Sequence, residues 1–195
     1  MVMPTLTNQY YVMRHGQSLA NTAGLIVSHP DNGLNDYGLS EKGRQQVRDG
    51  IGTSNLNANI HLFSSDFKRA RETTEIVHQA LDCNHKIVFD QRLRERHFGN
   101  FELKPDTYYP EIWEMDKCGH GHTEQNVETV QSVVTRALAV VFDFEKQFNN
   151  EICLIIAHGD ILQILQTAIY GLPAQNHRDL PHLETAEVRA LLSQT

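Results

Sequence analysis

Basic residues are in short supply in this 195-residue sequence, where 17 lysines and arginines against 24 acidic residues leave a formal net charge of −7. A sequence-independent grip on nucleic acid or on an anionic membrane rests on a basic face, so this balance argues against both as partners. Any anion site must therefore be local. Cysteines are few as well: Cys83, Cys118 and Cys153 form an odd, widely spaced set, with Cys153 inside the apolar run Ile152-Cys153-Leu154-Ile155-Ile156. Such a set points away from a disulfide framework and toward a buried free thiol in a reducing compartment. No window approaches a membrane span, and the stretch Met1 to Asn8 has neither a positive region nor an apolar run of signal length. A soluble, cytoplasmic protein is expected on that basis. Internal repeats and low-complexity segments are missing too, and the length suits one domain over 1–195.

What is present is an alternation of two patterns. Apolar runs at about 10–13, 60–64, 86–89 and 152–157 are short, mostly unalternating and bounded by polar or turn residues, as suits strands buried on both faces of a sheet. Helical spacing fills the intervals. Ser40 can cap a helix through about Asp49, and Phe67 to Leu81 follows with Ile76, Val77, Ala80 and Leu81 on one side. The longest helix is predicted from about Glu128 to Phe148, and Ile161 to Tyr170 forms another, stopped by Gly171 with Pro173 beyond. A final strand is expected within 186–192. Strands alternating with helices predict an α/β three-layer sandwich, a mainly parallel central sheet with helices on both faces. The stretch from about Leu103 to Asn126 has no clear period and carries Pro105, Pro110, Gly119 and Gly121, so it reads as a long insertion or lid.

In open parallel sheets the ligand site lies beyond the carboxyl ends of the strands, and three of those ends agree in character. The first leads into Arg14-His15-Gly16, the second into Ser64-Ser65 shortly before Arg69 and Arg71, and the fourth into His158-Gly159. Two histidines and an arginine pair thus converge on one rim. A guanidinium offers a fixed fork of donors to phosphate oxygens, and an imidazole supplies a nucleophilic nitrogen. An isolated histidine at a strand end is more often a turn residue, and an arginine opening a helix is more often solvated. Convergence is what favours function, and only one of Arg69 and Arg71 need face the pocket.

These segments resemble the histidine phosphatase superfamily, the phosphoglycerate-mutase-like fold, in its smaller phosphatase-type branch. Arg14-His15-Gly16-Gln17-Ser18-Leu19-Ala20-Asn21 matches the family's RHGxSxxN signature, and Leu39-Ser40-Glu41-Lys42-Gly43-Arg44-Gln45-Gln46 resembles its LTxxGxxQ helix start. Ser64 to Ala70 resembles SSxxxRA, Leu93 to Glu102 resembles LxExxxGxxE, and Ile155-Ile156-Ala157-His158-Gly159 resembles the strand ending in the second family histidine. RHG alone is weak, whereas five segments in order across nearly the whole chain are specific. The resemblance implies that His15 is the nucleophile, that Arg14, Arg69 and His158 hold the phosphoryl group, and that Glu95 is the proton donor. It also implies Arg69 rather than Arg71 and a chemistry without metal or other cofactor. Asn21, just past the nucleophile, is expected among the phosphate-binding residues, and Glu102 is the runner-up carboxylate, at a position more often structural in the family.

The expected reaction is hydrolysis of a small phosphorylated metabolite through a phosphohistidine. Alternatives are a phosphoglycerate mutase, a phosphohistidine protein phosphatase, and a non-catalytic module that binds phosphorylated ligands. For the chemistry, His15 must attack as a neutral imidazole, with its other N–H held by a backbone carbonyl near Gly16. Nearby arginines disfavour its protonation, whereas a bound dianion favours a charged His158, which would push the two histidines apart in pKa. Ser18 is expected either near the phosphate or as a helix cap, and Gln17 either at the pocket or on the turn surface. Cys118, His120 and His122 have ligand chemistry for zinc but no evident fourth partner. Tyr108, Tyr109 and Trp113 are placed either on the leaving-group wall or in core packing. Leu103 and Val127-Glu128-Thr129 depart from the family pattern, which puts substrate contacts from that side in doubt.

Overall fold

The computed structural model describes residues 5–119 and 125–191. Five strands, β1 (Gln9–Arg14), β2 (His61–Ser64), β3 (Val88–Phe89), β4 (Ile152–Ala157) and β5 (Val188–Leu191), form one sheet in the order β3-β2-β4-β1-β5. All neighbours run parallel except β5, which pairs antiparallel with β1. The helices are α1 (Leu19–Ala23), α2 (Pro30–Gly33), α3 (Glu41–Gly52), α4 (Lys68–Ala80), α5 (Tyr109–Lys117), α6 (Val130–Gln147) and α7 (Gly159–Ile169). This is the expected α/β architecture, with β3 reduced to two residues at the sheet edge.

The pleat of β4 explains the three layers. Cys153, Ile155 and Ala157 point into the core shared with α6 and α7, while Leu154 and Ile156 point into the core shared with α3 and α4. Each of the fully buried leucine and isoleucine side chains stabilises the fold by about 1.5–3 kcal/mol, which is why the run shows no polar alternation. Burial also drives the Cys153 thiol pKa upward and keeps it an inert core group. Ser40 caps α3 as expected, its Oγ accepting from Gly43 N at 3.0 Å, and Thr129 caps α6 through Ser132 N at 3.2 Å.

Two glycines seat α3 against the end of β1. A Cβ on Gly16 would stand 2.5 Å from the Gly43 carbonyl oxygen, and one on Gly43 would collide with the Gln17 carbonyl. The first two family-like segments, far apart in sequence, thus meet backbone to backbone.

One expectation is corrected. Part of the 103–126 stretch is the helix α5, whose buried positions are Ile112 and Asp116. One of its two inward positions is a carboxylate, so the apolar period that would betray a helix is absent from the sequence. Pro110 lies in its first turn, where a missing N–H costs nothing.

Candidate active site

The carboxyl ends of β1, β2 and β4 do meet. The ladder continues past the strands, with His15 N donating to Ala157 O at 3.0 Å and Ser65 N donating to Ile156 O at 3.0 Å. Arg69, at the start of α4, is only 4% exposed and lies between the two histidines. Its Nε donates to His15 Nε2 and to His158 Nδ1, both at 3.1 Å, and its Nη2 donates to Val27 O at 2.8 Å. Guanidinium only donates, so both ring nitrogens facing it are acceptors. The tautomers follow: His15 carries its proton on Nδ1, which donates to Gly16 O at 2.7 Å, and His158 carries its proton on Nε2, which donates to Ser65 Oγ at 2.9 Å. The backbone carbonyl expected to hold His15 is that of Gly16 itself.

Both histidines sit well below the ordinary imidazole pKa, through burial first and the Arg69 charge second. The two are shifted the same way because both are buried and both face the one guanidinium; the separation expected of them is the work of a bound dianion on His158. His158 is fully buried, in edge contact with the His15 ring, and of the two histidines it is His15 that lines the cavity.

That cavity has a volume of about 190 Å³ and is lined by Arg14, His15, Asn21, Arg69, Glu95 and Arg178 among others. Two guanidinium donors at its floor, Arg14 Nε and Arg69 Nη1, are buried without a hydrogen-bond partner among the described residues. Orphaned cationic donors are costly, so a site that keeps two of them is built for an anion. Arg71 faces away, its Nη2 donating to Leu34 O at 3.1 Å.

Glu95 reaches the same cavity, and its Oε1 accepts from Arg96 N at 2.9 Å and Ile161 N at 3.2 Å. Burial raises its pKa, with the Asp160 charge adding to the effect, against smaller opposing contributions from Arg69 and the two amides. Glu102 is structural: it accepts from Ser28 N and Oγ at 2.8 and 2.7 Å and from Asn32 Nδ2 at 2.9 Å. Asn21 lines the cavity, but its Oδ1 closes a capping box with Ser18 N and Oγ, both at 3.0 Å, which leaves Nδ2 to offer. Ser18 therefore caps α1 while bordering the cavity. Gln17 is tied to α3, its Oε1 accepting from Ser40 Oγ at 2.9 Å.

The roof is aromatic and cationic. Tyr109 and Trp113 of α5 stack at 5.2 Å, Arg178 Cζ lies 3.7 Å over the Trp113 ring, and Tyr108 turns away onto Phe101. Trp113 Nε1 donates to both Asp160 oxygens at 3.1 Å. Asp160, Arg178 and His182 were not expected in the site. Asp160 directly follows His158-Gly159, a position that could have flagged it, whereas Arg178 and His182 come from an irregular segment whose only signal is its density of histidine and arginine. His120 and His122 lie outside the described residues, and among the described ones no group of three metal-ligating side chains forms.

A family model of the histidine phosphatase superfamily (branch 1) matches residues 10–194. The chain belongs to that superfamily. It is 33% identical over 179 residues to the probable phosphoglycerate mutase GpmB of Erwinia tasmaniensis, a match covering 88% of this chain and 79% of that one. Bacillus stearothermophilus YhfR superposes with a TM-score of 0.73 at 29% identity, covering 94% of this chain and 90% of its own. The fold is also that of a mycobacterial glucosyl-3-phosphoglycerate phosphatase, at TM-score 0.78 and 22% identity over 93% of this chain and 91% of that one. The relatives and neighbours of this superfamily named here are phosphatases or mutases. No helix of the described residues is long and apolar enough to cross a membrane.

Proposed function

We propose that the protein is a metal-independent phosphomonoesterase that hydrolyses a small phosphorylated metabolite through a phosphohistidine on His15. The observation that carries this reading is the pair of orphaned donors, Arg14 Nε and Arg69 Nη1, beside the unprotonated Nε2 of His15. The cavity is smaller than the ~300–1,000 Å³ pockets that take drug-sized ligands, which favours a small substrate.

In the first step His15 Nε2 attacks phosphorus, the bond to the leaving oxygen breaks, and Glu95 gives that oxygen its proton. The Nε2 lone pair is engaged by one Arg69 hydrogen that it shares with His158, so a phosphoryl oxygen accepting that hydrogen frees the nitrogen. Preorganised guanidinium donors then stabilise the charge on the equatorial oxygens. Before substrate binds, His158 Nδ1 accepts from Arg69 Nε and orients it; once a phosphoryl oxygen takes that hydrogen, a proton that the dianion draws onto Nδ1 turns His158 into a further donor to the phosphoryl group. In the second step water attacks phosphorus, the P–N bond breaks, and Glu95 carboxylate takes the water proton. Asn21 Nδ2 contacts substrate from the α1 side.

The kinship with probable phosphoglycerate mutases favours mutase-type transfer as the second reading. Purified protein incubated with an aryl phosphate and with 3-phosphoglycerate, with and without a strong chelator, tests both. Released phosphate and an acid-labile, alkali-stable phosphoenzyme that His15→Ala abolishes are expected. Isomerised 3-phosphoglycerate exceeding released phosphate selects the mutase, and no turnover with no phosphoenzyme overturns the enzyme reading.

A further inference from the structure

His182 stands at the cavity mouth between two guanidinium groups, with its Nε2 3.1 Å from Arg14 Nη1 and its Nδ1 3.2 Å from Arg178 Nη2. Both neighbours only donate, and a neutral imidazole accepts at one nitrogen while carrying a hydrogen on the other. Whichever tautomer forms, one contact sets N–H against N–H. Protonating the ring makes both contacts repulsive, and burial together with the two arginines indeed lowers its pKa. Arg14 Nη1 has a second acceptor in Leu183 O at 3.1 Å, whereas Arg178 Nη2 has no other partner among the described residues.

Arg178 is nonetheless held rigidly. Its plane lies over Trp113, its Nη1 donates to Gln163 Oε1, and Asp160 Oδ1 is 3.6 Å away, beyond hydrogen-bond reach. The Asp160 carboxylate is meanwhile engaged by Trp113 and Arg96. A phosphoryl dianion occupies the donors of Arg14 and Arg69, while the ion pair of Arg178 Nη1 with Asp160 leaves Arg178 Nη2 with no acceptor but the His182 ring among the described residues. On the α1 side of the cavity stands one further carboxylate, Asp106.

We propose that Arg178 and His182 form a second anion subsite at the cavity mouth, so that the preferred substrates are phosphomonoesters bearing another anionic oxygen group, a carboxylate or a second phosphoryl. An oxygen placed between the two side chains accepts from Arg178 Nη2 and from His182 Nδ1–H, while His182 Nε2 goes on accepting from Arg14. His182 thereby couples the phosphoryl floor to the second subsite. This specificity rests on the phosphoryl-transfer reading above and extends it to a substrate class.

The test compares kcat/KM for pairs of esters that differ in the second group alone: 3-phosphoglycerate against glycerol 3-phosphate, and propane-1,3-diol bisphosphate against propyl phosphate. The wild-type ratio within at least one pair is expected to favour the anionic member by about 10- to 100-fold, the range of a charge-assisted hydrogen bond, and the pair that shows it identifies the group. Arg178→Gln and, independently, His182→Phe should bring that ratio toward one. A ratio cancels any general loss of activity through misfolding, and the second variant serves where the first does not fold. Wild-type ratios near one in both pairs, or ratios unchanged in both variants, overturn the subsite while leaving the phosphatase intact. Absence of turnover with every ester, including an aryl phosphate, instead overturns the phosphatase, and the subsite is then judged on competition binding of the same pairs, where equal affinities would sink it.

Discussion

Arg96 and Asp116 face each other as a two-pronged ion pair, Nη1 to Oδ2 at 2.6 Å and Nη2 to Oδ1 at 2.7 Å, with side chains 0% and 2% exposed. Arg96 follows Glu95 in the chain, and Asp116 lies one turn beyond Ile112 on the inner face of α5. The pair therefore fixes the roof helix, with its Tyr109 and Trp113, relative to the carboxyl that reaches the cavity. Removing one partner of a buried pair costs about 3–5 kcal/mol where the other charge is stranded, and here Asp160, 3.5 Å from Arg96 Nη1, still offsets part of the Arg96 charge. Asp116→Ala is therefore expected to lose about 2–3 kcal/mol in urea unfolding, and a change under 1 kcal/mol would show that the pair is not what seats α5.

Gly16→Ala should damage stability and activity together. The added Cβ would meet Gly43 O at 2.5 Å and Val47 Cγ2 at 2.8 Å, one of them backbone that cannot rotate aside. Overpacking of this kind costs about 1–3 kcal/mol, and any relaxation moves the residue after His15. Denaturant melts paired with turnover of an aryl phosphate measure both effects. A variant equal to wild type in both would mean that α3 and the β1 loop can part freely.

The pH dependence of stability follows from the buried histidines. His15 and His158 are shifted below the ordinary imidazole value near 6.5, so below that pH the unfolded chain binds protons that the native state refuses. Stability is complete above about pH 6.5 and falls as the pH drops toward the folded values, by about 1.4 kcal/mol per pH unit for each histidine. His158→Gln should flatten the fall between pH 6.5 and 5 by one histidine's share. Parallel curves for variant and wild type in urea titrations would contradict the assignment.

Sheet and floor were legible in the sequence because apolar runs and strand-end motifs are local signals. Arg14, His15, Arg69 and His158 each sit within a few residues of a strand end, and topology alone brings strand ends together. Helix α5 was hidden because Asp116 occupies a core position, made tolerable by Arg96, a partner twenty residues away. Arg178 and His182 were hidden for a similar reason: their segment has no period, and what places them is contact with Trp113 and Arg14. Depth was also illegible. His158 and His15 look equivalent as strand-end histidines, yet His15 lines the cavity and His158 is packed beside it without reaching that lining.

Glu95 carries the sharpest chemical prediction. Its Oε1 is occupied by the amides of Arg96 and Ile161, while burial raises its pKa above the ordinary glutamate value and keeps it protonated to higher pH. A folded pKa above the unfolded one means that this group contributes stability fully present below about pH 4.5 and lost as the pH rises through the folded value. Glu95→Gln, which keeps the acceptor for both amides, should then be at least as stable as wild type at pH 7. Activity should move the other way. A proton matters most to a poor leaving group, so kcat/KM is expected to fall by about 10²–10⁴ for an alkyl phosphate and far less for an activated aryl phosphate. The wild-type alkyl-ester profile should also decline on the alkaline side as Glu95 ionises, a limb missing from the variant. Equal losses on both esters, with the alkaline limb retained, would remove Glu95 from the acid role and leave it a buried support for the start of α7.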